Sequence, residues 1–265
     1  MSFHYKDQGA GPPVLLLHGL MASTQVFEPL VALAKDKHRF VSVDLPHSGK
    51  SGAWAPMKPD AIAAYLDRWL MDHSLREVTV VGHSFGGLVA MALAMLNPKR
   101  VARLVMCGTP AVGLPREAKL LLENPVADYG AAMLAQRFLP RAYVKRYVSW
   151  LFADPSKLTD AQLEGYEVTL KNTGCWPSML EATRSIVAWK SPPPFGFPTD
   201  VLWGERDKLV PVVQGEQLAI ALDAGFTVLP NVGHCLPEED PHTLLQALRG
   251  ELKSRKAKDR YPAPR

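Results

Sequence analysis

The sequence predicts an α/β protein: a mostly parallel sheet covered on both faces by helices, with an inserted helical segment in its second half. Short apolar runs, VLLL at 14–17, FVSV at 40–43, VTVV at 78–81 and LVMC at 104–107, alternate with amphipathic stretches at 25–37, 59–73 and 85–97. That rhythm is the signature of strands and helices in turn. The strand runs are apolar almost throughout, without strict alternation, which requires cover on both sides of the sheet.

The rhythm breaks from 111 to 194. No strand run occurs there, and helical patterns succeed one another at 128–138, 140–152, 160–171 and 177–189. The segment SPPPFGFP at 191–198 stiffens the return. The alternation then resumes with a strand DVLW at 200–203, a helix over 213–223, a strand FTVL at 226–229 and a closing helix over 241–252. Asp240-Pro241 supplies that last helix with an N-cap side chain and a proline in its first turn. The expected organisation is a core of residues 1–110 and 195–253, a helical cap over 111–194 and a disordered basic tail over 254–265.

A length of 265 residues with 47% hydrophobic and 21% charged residues suits one sizeable core carrying an insertion. The amino terminus lacks a basic start followed by an apolar stretch, and the longest apolar run, Leu88 to Leu96, falls far short of a membrane span. The expectation is a cytoplasmic protein without a membrane span. Cys107, Cys175 and Cys235 are too scattered for a disulfide framework or metal-ligand spacing, so they read as buried thiols, with no metal and no cofactor. Residues 249–265 hold seven basic and two acidic residues, a local +5 against +4 for the chain, which leaves −1 for everything before them. The basicity belongs to the tail, and no nucleic-acid partner is expected. A small-molecule substrate is expected, and the chain carries no signal for an oligomeric state.

Residues 80–88 read VVGHSFGGL: a strand runs into a helix across a serine fenced by glycines. Joining the two in about two residues forces Ser84 into a strained conformation at the carboxyl edge of the sheet. Gly82 and Gly86 lack side chains because strand and helix pass close there. The hydroxyl is lifted into a cleft beside the positive end of the following helix. This G-x-S-x-G turn, in strand-turn-helix context, makes Ser84 the candidate nucleophile.

A serine hydroxyl needs a base, and the base needs a carboxylate to orient it. Of eight histidines, His234 lies in NVGHCLPEEDP, between the last strand and the closing helix, at the same sheet edge as Ser84. His4, His38, His73 and His242 fall on helix ends or surface patterns, and His83, inside the turn, points away with a structural role. Asp207 follows DVLW in LWGERDKLVP. Asp200 opens that strand at the wrong end, Glu205 comes two residues too early, and no acid follows LVMC near 108–110. The order Ser84, Asp207, His234 is that of a known fold class.

Four motifs, LLLHGL at 15–20, DLPHSGKS at 44–51, GHSFGG at 82–87, and GERDKLVP paired with GHCLPEEDP, make the chain resemble the α/β-hydrolase superfamily, in its capped serine esterase and C-C hydrolase-like branch, over about residues 3–252. The resemblance implies that the backbone N–H groups of Leu20 and Phe85 form an oxyanion hole, and that His18 fixes the oxyanion loop. His47 departs from the D-x-x-G-x-G-x-S pattern, replacing its first glycine, and predicts a turn that differs in detail. Serine at 84 argues against the dehalogenase and epoxide hydrolase chemistry that uses aspartate there.

Cap aromatics and methionines supply pocket candidates: Tyr129, Met133, Tyr143, Trp150 and Trp176, with Tyr147 and Phe152 beside them. Arg137, Arg141 and Arg184 are candidates for holding a substrate carboxylate, against a plainer reading as solvated helix faces. The expected function is a serine hydrolase cleaving a small, largely apolar carboxylic ester through an acyl-enzyme on Ser84. The alternatives are a C-C bond hydrolase or lyase on an acidic diketone-like substrate with the same triad, and a non-catalytic ligand-binding homologue.

Overall fold

A computed structural model of the chain describes residues 3–53, 55–110, 140–171, 175–252 and 255–256. Among these, eight strands form one sheet: β1 (Tyr5–Gln8), β2 (Pro13–Leu17), β3 (Arg39–Val43), β4 (Val78–His83), β5 (Val101–Cys107), β6 (Thr199–Gly204), β7 (Gly225–Leu229) and β8 (Arg255–Lys256). Their spatial order is β1-β3-β2-β4-β5-β6-β7-β8. The two edge pairs, β1 with β3 and β7 with β8, are antiparallel, and all the inner pairs are parallel.

The apolar strand runs do what their composition predicts. Leu15 and Leu17 face one side, with Val41, Val80 and Leu104, under α2 (Pro59–Asp72), α3 (Phe85–Leu96) and α7 (Val212–Leu222). Val14 and Leu16 face the other, with Phe40, Val81 and Val105, under α1 (Glu28–Ala34) and α9 (Pro241–Arg249). Both sides of β2 are thus removed from water, and truncating any one of these leucines to alanine costs about 2–5 kcal/mol. The central α3 is buried on almost every side, from Phe85 to Ala94.

Among the described residues, three helices stand between β5 and β6: α4 (Arg141–Leu151), α5 (Asp160–Leu170) and α6 (Cys175–Ala188). Thr159 and Gln162 form a capping box at the start of α5. Val144, Val148 and Leu151 of α4 are buried, joining Leu163 and Tyr166 of α5 and the core on the α1 side.

Several expected boundaries move for local reasons. The helix expected over 25–37 is a 3-10 turn over Thr24–Phe27 followed by α1, which starts afresh with Pro29 in its first turn. The closing helix, α9, starts at Pro241, where the Asp240 carboxylate accepts from Thr243 N–H at 3.0 Å, but stops at Arg249 because Gly250 turns left-handed at φ 71°. Edge strands β1 and β8 have no apolar run to announce them. The disorder expected over 254–265 is corrected at Arg255–Lys256, whose backbone pairs with Gly225 and Phe226 and occupies the open edge of β7. The helix expected at 128–138 lies outside the described residues.

The inner strands end in register. Leu17 pairs with Gly82, His83 with Cys107, Cys107 with Leu202, and Gly204 with Leu229. The loops after β2, β4, β5, β6 and β7 therefore gather at one edge of the sheet, the place where open α/β sheets bind ligands.

Candidate active site

Ser84 sits between β4 and α3 at φ 51° and ψ −120°, a conformation an L-residue adopts only under strain. Its N–H donates to the Cys107 carbonyl at 2.8 Å, which pins the turn to β5. A side chain at Gly82 would come 2.6 Å from Gly87 Cα, and one at Gly86 would strike the Leu17 carbonyl oxygen. Strand and helix do pass that closely, and the glycines are required by the packing.

After β7 the chain reaches His234, whose Nδ1 lies 2.8 Å from Asp207 Oδ2. Asp207 follows β6, and its side chain is fully buried. The second carboxylate oxygen accepts from Leu209 N–H at 2.9 Å and Val210 N–H at 2.8 Å. Three donors thus fix the carboxylate in place, and because a carboxylate only accepts, the His234 nitrogen facing it, Nδ1, is the donor. The other ring nitrogen is left to act as a base. Beneath the imidazole lies Gly108, at φ 56°, where a side chain would approach Nδ1 to 3.3 Å. The rival acids lie elsewhere: Asp200, at the start of β6, accepts from Arg103 at 2.7 Å, and Glu205 is exposed.

A further histidine, His18, braces the loop after β2 without joining the site. His18 accepts Leu45 N–H on Nε2 at 3.0 Å, so its Nδ1 donates to the Gly19 carbonyl at 2.7 Å. Burial lowers its pKa, and the neutral ring ties the loop after β2 to the end of β3. Met21 in that loop is held at φ 61°. His47, in the place of a glycine, also takes a positive φ of 61°, and its Nε2 lies 3.0 Å from the Ala55 carbonyl oxygen.

Ser84 and His234 open onto one cavity of about 280 Å³. Leu20 lines it too, whereas the Phe85 side chain is fully buried in the core as α3 begins. Among the described residues the rest of the wall is Gly19, Met21, Ala22, Pro110, Leu151, Met179, Ile186, Leu209 and Val210, with His83, Tyr147, Tyr166, Thr183 and Cys235. Thr183 Oγ1 donates to the Met179 carbonyl and Tyr166 donates to Glu238, so these hydroxyls are already used. No described lining residue is Lys, Arg, Asp or Glu.

The pocket expected from the sequence is corrected in part. Tyr143 and Trp150 are 65% and 44% exposed and do not line the described cavity. Both lie on the outward side of α4, because the inward side is taken by Val144, Val148 and Leu151. Phe152 is core. Tyr129, Met133 and Arg137 lie outside the described residues, as does the side chain of Trp176 in α6. Arg141 is engaged by Asp160 and Glu167, and Arg184 lines a separate surface cleft. The aliphatic wall from Met179, Ile186 and Leu209 lies outside the aromatic and methionine candidates expected from the sequence. Helical spacing of Met179, Thr183 and Ile186 on α6 was the available signal.

All three cysteines are buried free thiols. Among the described residues no group of three or more His, Cys, Asp or Glu is placed to hold a metal ion, and no helix is long and apolar enough to cross a membrane.

Residues 12–241 match the family described as alpha/beta hydrolase fold. The lipase LipV of Mycobacterium tuberculosis is 32% identical over 95% of this chain and 98% of its own length. A 2-hydroxy-6-oxononadienedioate/2-hydroxy-6-oxononatrienedioate hydrolase of Paraburkholderia phymatum is 29% identical over 87% of this chain and 84% of its own. Among solved structures, Cfl2 of Burkholderia cenocepacia superposes with a TM-score of 0.80 at 22% identity, over 94% of this chain and 91% of that one. The family match covers most of the chain, and the sheet, its covering helices and the strained serine turn agree with it: the chain belongs to the α/β-hydrolase family and is a hydrolase.

Proposed function

We propose that the chain is a serine hydrolase that cleaves small, largely apolar carboxylic esters through an acyl-enzyme on Ser84. His234 takes the Ser84 proton on Nε2 as the hydroxyl attacks the ester carbonyl, and Asp207 stabilises the imidazolium that results. The backbone N–H groups of Leu20 and Phe85 receive the oxyanion, and His234 then returns the proton to the leaving alcohol. Water repeats the sequence on the acyl-serine. The chemistry uses side chains and backbone amides alone. Residues 111–194 act as the cap over this site, and β6 (Thr199–Gly204), which follows them, leads to Asp207.

The observation that carries the substrate class is the cavity shared by Ser84 and His234, whose described wall is largely apolar and holds no Lys, Arg, Asp or Glu. Such a wall favours an uncharged acyl or alcohol group, since a carboxylate placed there would lose its hydration without gaining a partner. The relative from Paraburkholderia phymatum, named for a dioate substrate, points to the second reading, C-C bond hydrolysis of an acidic diketone. Of its three arginine candidates, Arg141 is paired with acids and Arg184 lines another cleft.

The test is labelling with a fluorophosphonate, followed by turnover of p-nitrophenyl esters of graded acyl length beside acidic diketones. The ester reading expects one covalent adduct on the GHSFGG peptide and turnover of neutral short esters well above that of diketones. Preference for the diketones would select the second reading, and absence of any adduct would point to a binding protein.

A further inference from the structure

Two consecutive acids, Glu238 and Glu239, follow the base by four and five residues, in the short helix α8 (Leu236–Glu239). Neither takes part in the mechanism above, yet both are buried, at 7% and 5% exposure. Their side chains reach across to the inserted helices. Glu239 Oε1 accepts Gly233 N–H at 2.9 Å, and its Oε2 accepts Ala153 N–H at 2.8 Å. Gly233 immediately precedes His234, and Ala153 lies two residues beyond α4. Lys157 Nζ completes the join by donating to the Glu239 carbonyl at 2.8 Å.

The backbones themselves touch at the same place. His234 N–H donates to the Leu151 carbonyl, the last residue of α4, at 2.8 Å. A side chain on Gly233 would meet Leu151 O at 2.5 Å, Ala153 N at 2.6 Å and Glu239 Oε1 at 2.8 Å. Asp207 fixes only one nitrogen of the imidazole, which leaves the placement of its Cα to the backbone around it. That backbone is held from the insertion, through one carboxylate that bridges two N–H donors 80 residues apart in the chain.

We propose that Glu239 is a positioning residue for His234, acting by joining the base loop to the segment that follows α4, so that the insertion and the base keep one relative placement. The inference rests on the serine-hydrolase reading of the site. A bridging carboxylate is needed because both partners are donors. An amide of the same shape presents an acceptor to one N–H and its own NH₂ to the other, so one half of the bridge is lost. Misplacing a catalytic group by about 1 Å costs on the order of 100-fold in rate. A group that only stabilises the fold would lower the melting temperature and leave turnover alone.

The experiment compares wild type with Glu239→Gln on p-nitrophenyl acetate and on a fluorophosphonate. The expected result is a fall in kcat of roughly 10- to 100-fold with KM within about threefold, matched by an equal fall in the rate of Ser84 labelling, in a variant folded by circular dichroism. Unchanged kcat in the folded variant, or a rise in KM alone, overturns the proposal. If Glu239→Gln does not fold, Ala153→Pro decides: it deletes one of the bridged N–H donors while keeping Glu239. Phe152 before it is already extended, at φ −81° and ψ 144°, the conformation a residue preceding proline favours. A kcat-specific loss supports the bridge, and wild-type kcat overturns it. Wild-type protein that neither labels nor turns over esters would instead refute the hydrolase reading, which separates the two failures.

Discussion

His83 and His234 are joined through the backbone: His83 Nε2 donates to the His234 carbonyl oxygen at 2.8 Å, and their rings lie 5.0 Å apart at 50°. Burial, aided by the neighbouring imidazole, holds the His83 pKa at about 3, so the ring is neutral at every working pH. It serves as a fixed donor beside His234. His83→Ala is expected to lower kcat by roughly tenfold, since a peptide flanking the base loses its donor. In wild type the His83 ring resonances should not titrate between pH 5 and 8 by NMR. A His83 that titrates there would contradict the assignment.

The Asp207 carboxylate accepts three hydrogen bonds, one from His234 and two from backbone amides. Asp207→Asn keeps an acceptor for the amides and turns an NH₂ toward Nδ1, reversing the tautomer. Turnover should fall by about 10⁴-fold with the fold intact. Glu205→Gln, at an exposed position, should stay near wild type. The opposite ranking of the two variants would reassign the acid.

Ser84 combines a strained backbone, at φ 51°, with the proposed nucleophile. Ser84→Ala should lose turnover by about a million-fold and all fluorophosphonate labelling. Ser84→Gly should be equally inactive but more stable than the alanine variant by about 1 kcal/mol, because glycine occupies a positive φ without clash. Urea titration of the two variants measures the difference, and equal midpoints would remove the strain argument.

Glu238 sets a pH dependence of stability. Burial, with a contribution from Glu239, raises its carboxyl from about 4.5 to about 8, while Tyr166 donates to it at 2.7 Å. Between those values the folded state keeps a proton that the unfolded chain has lost. The stability this group contributes is full below about pH 4.5 and is lost as pH rises through about 8. Glu238→Gln keeps an acceptor for Tyr166 and removes the titration. Melting curves at pH 5 and pH 8 should therefore show a smaller loss with pH in the variant than in wild type. Equal losses in the two proteins would place the proton elsewhere.

Removing residues 253–265 takes away β8 and reopens the edge of β7. The expected cost is a few degrees of melting temperature, since only two residues pair there. Ester turnover should be unchanged because β8 lies at the far edge of the sheet from Ser84. A large loss of activity on truncation would show a role for the tail that the sheet pairing does not explain.

Local chemistry made much of this protein legible in one dimension. The apolar runs of β2 to β7 and the periodic helices between them are signals written within ten or fifteen consecutive residues, as are the glycines around Ser84 and the proline that opens α9. Chain order and the sheet edge point to Asp207 and His234 on the same terms, and the structure brings the two side chains to 2.8 Å. The edge strands β1 and β8 escaped notice because half-exposed backbone pairing needs no apolar pattern. The pocket escaped for a different reason. Which face of α4 turns inward depends on what packs against it, so Tyr143 and Trp150 read from the sequence as pocket residues and stand in the structure on the outer side. The Glu239 bridge was beyond reach altogether. Its two donors, Gly233 and Ala153, are backbone N–H groups that every residue but proline carries, and only the tertiary packing of the insertion against the base loop brings them to one carboxylate.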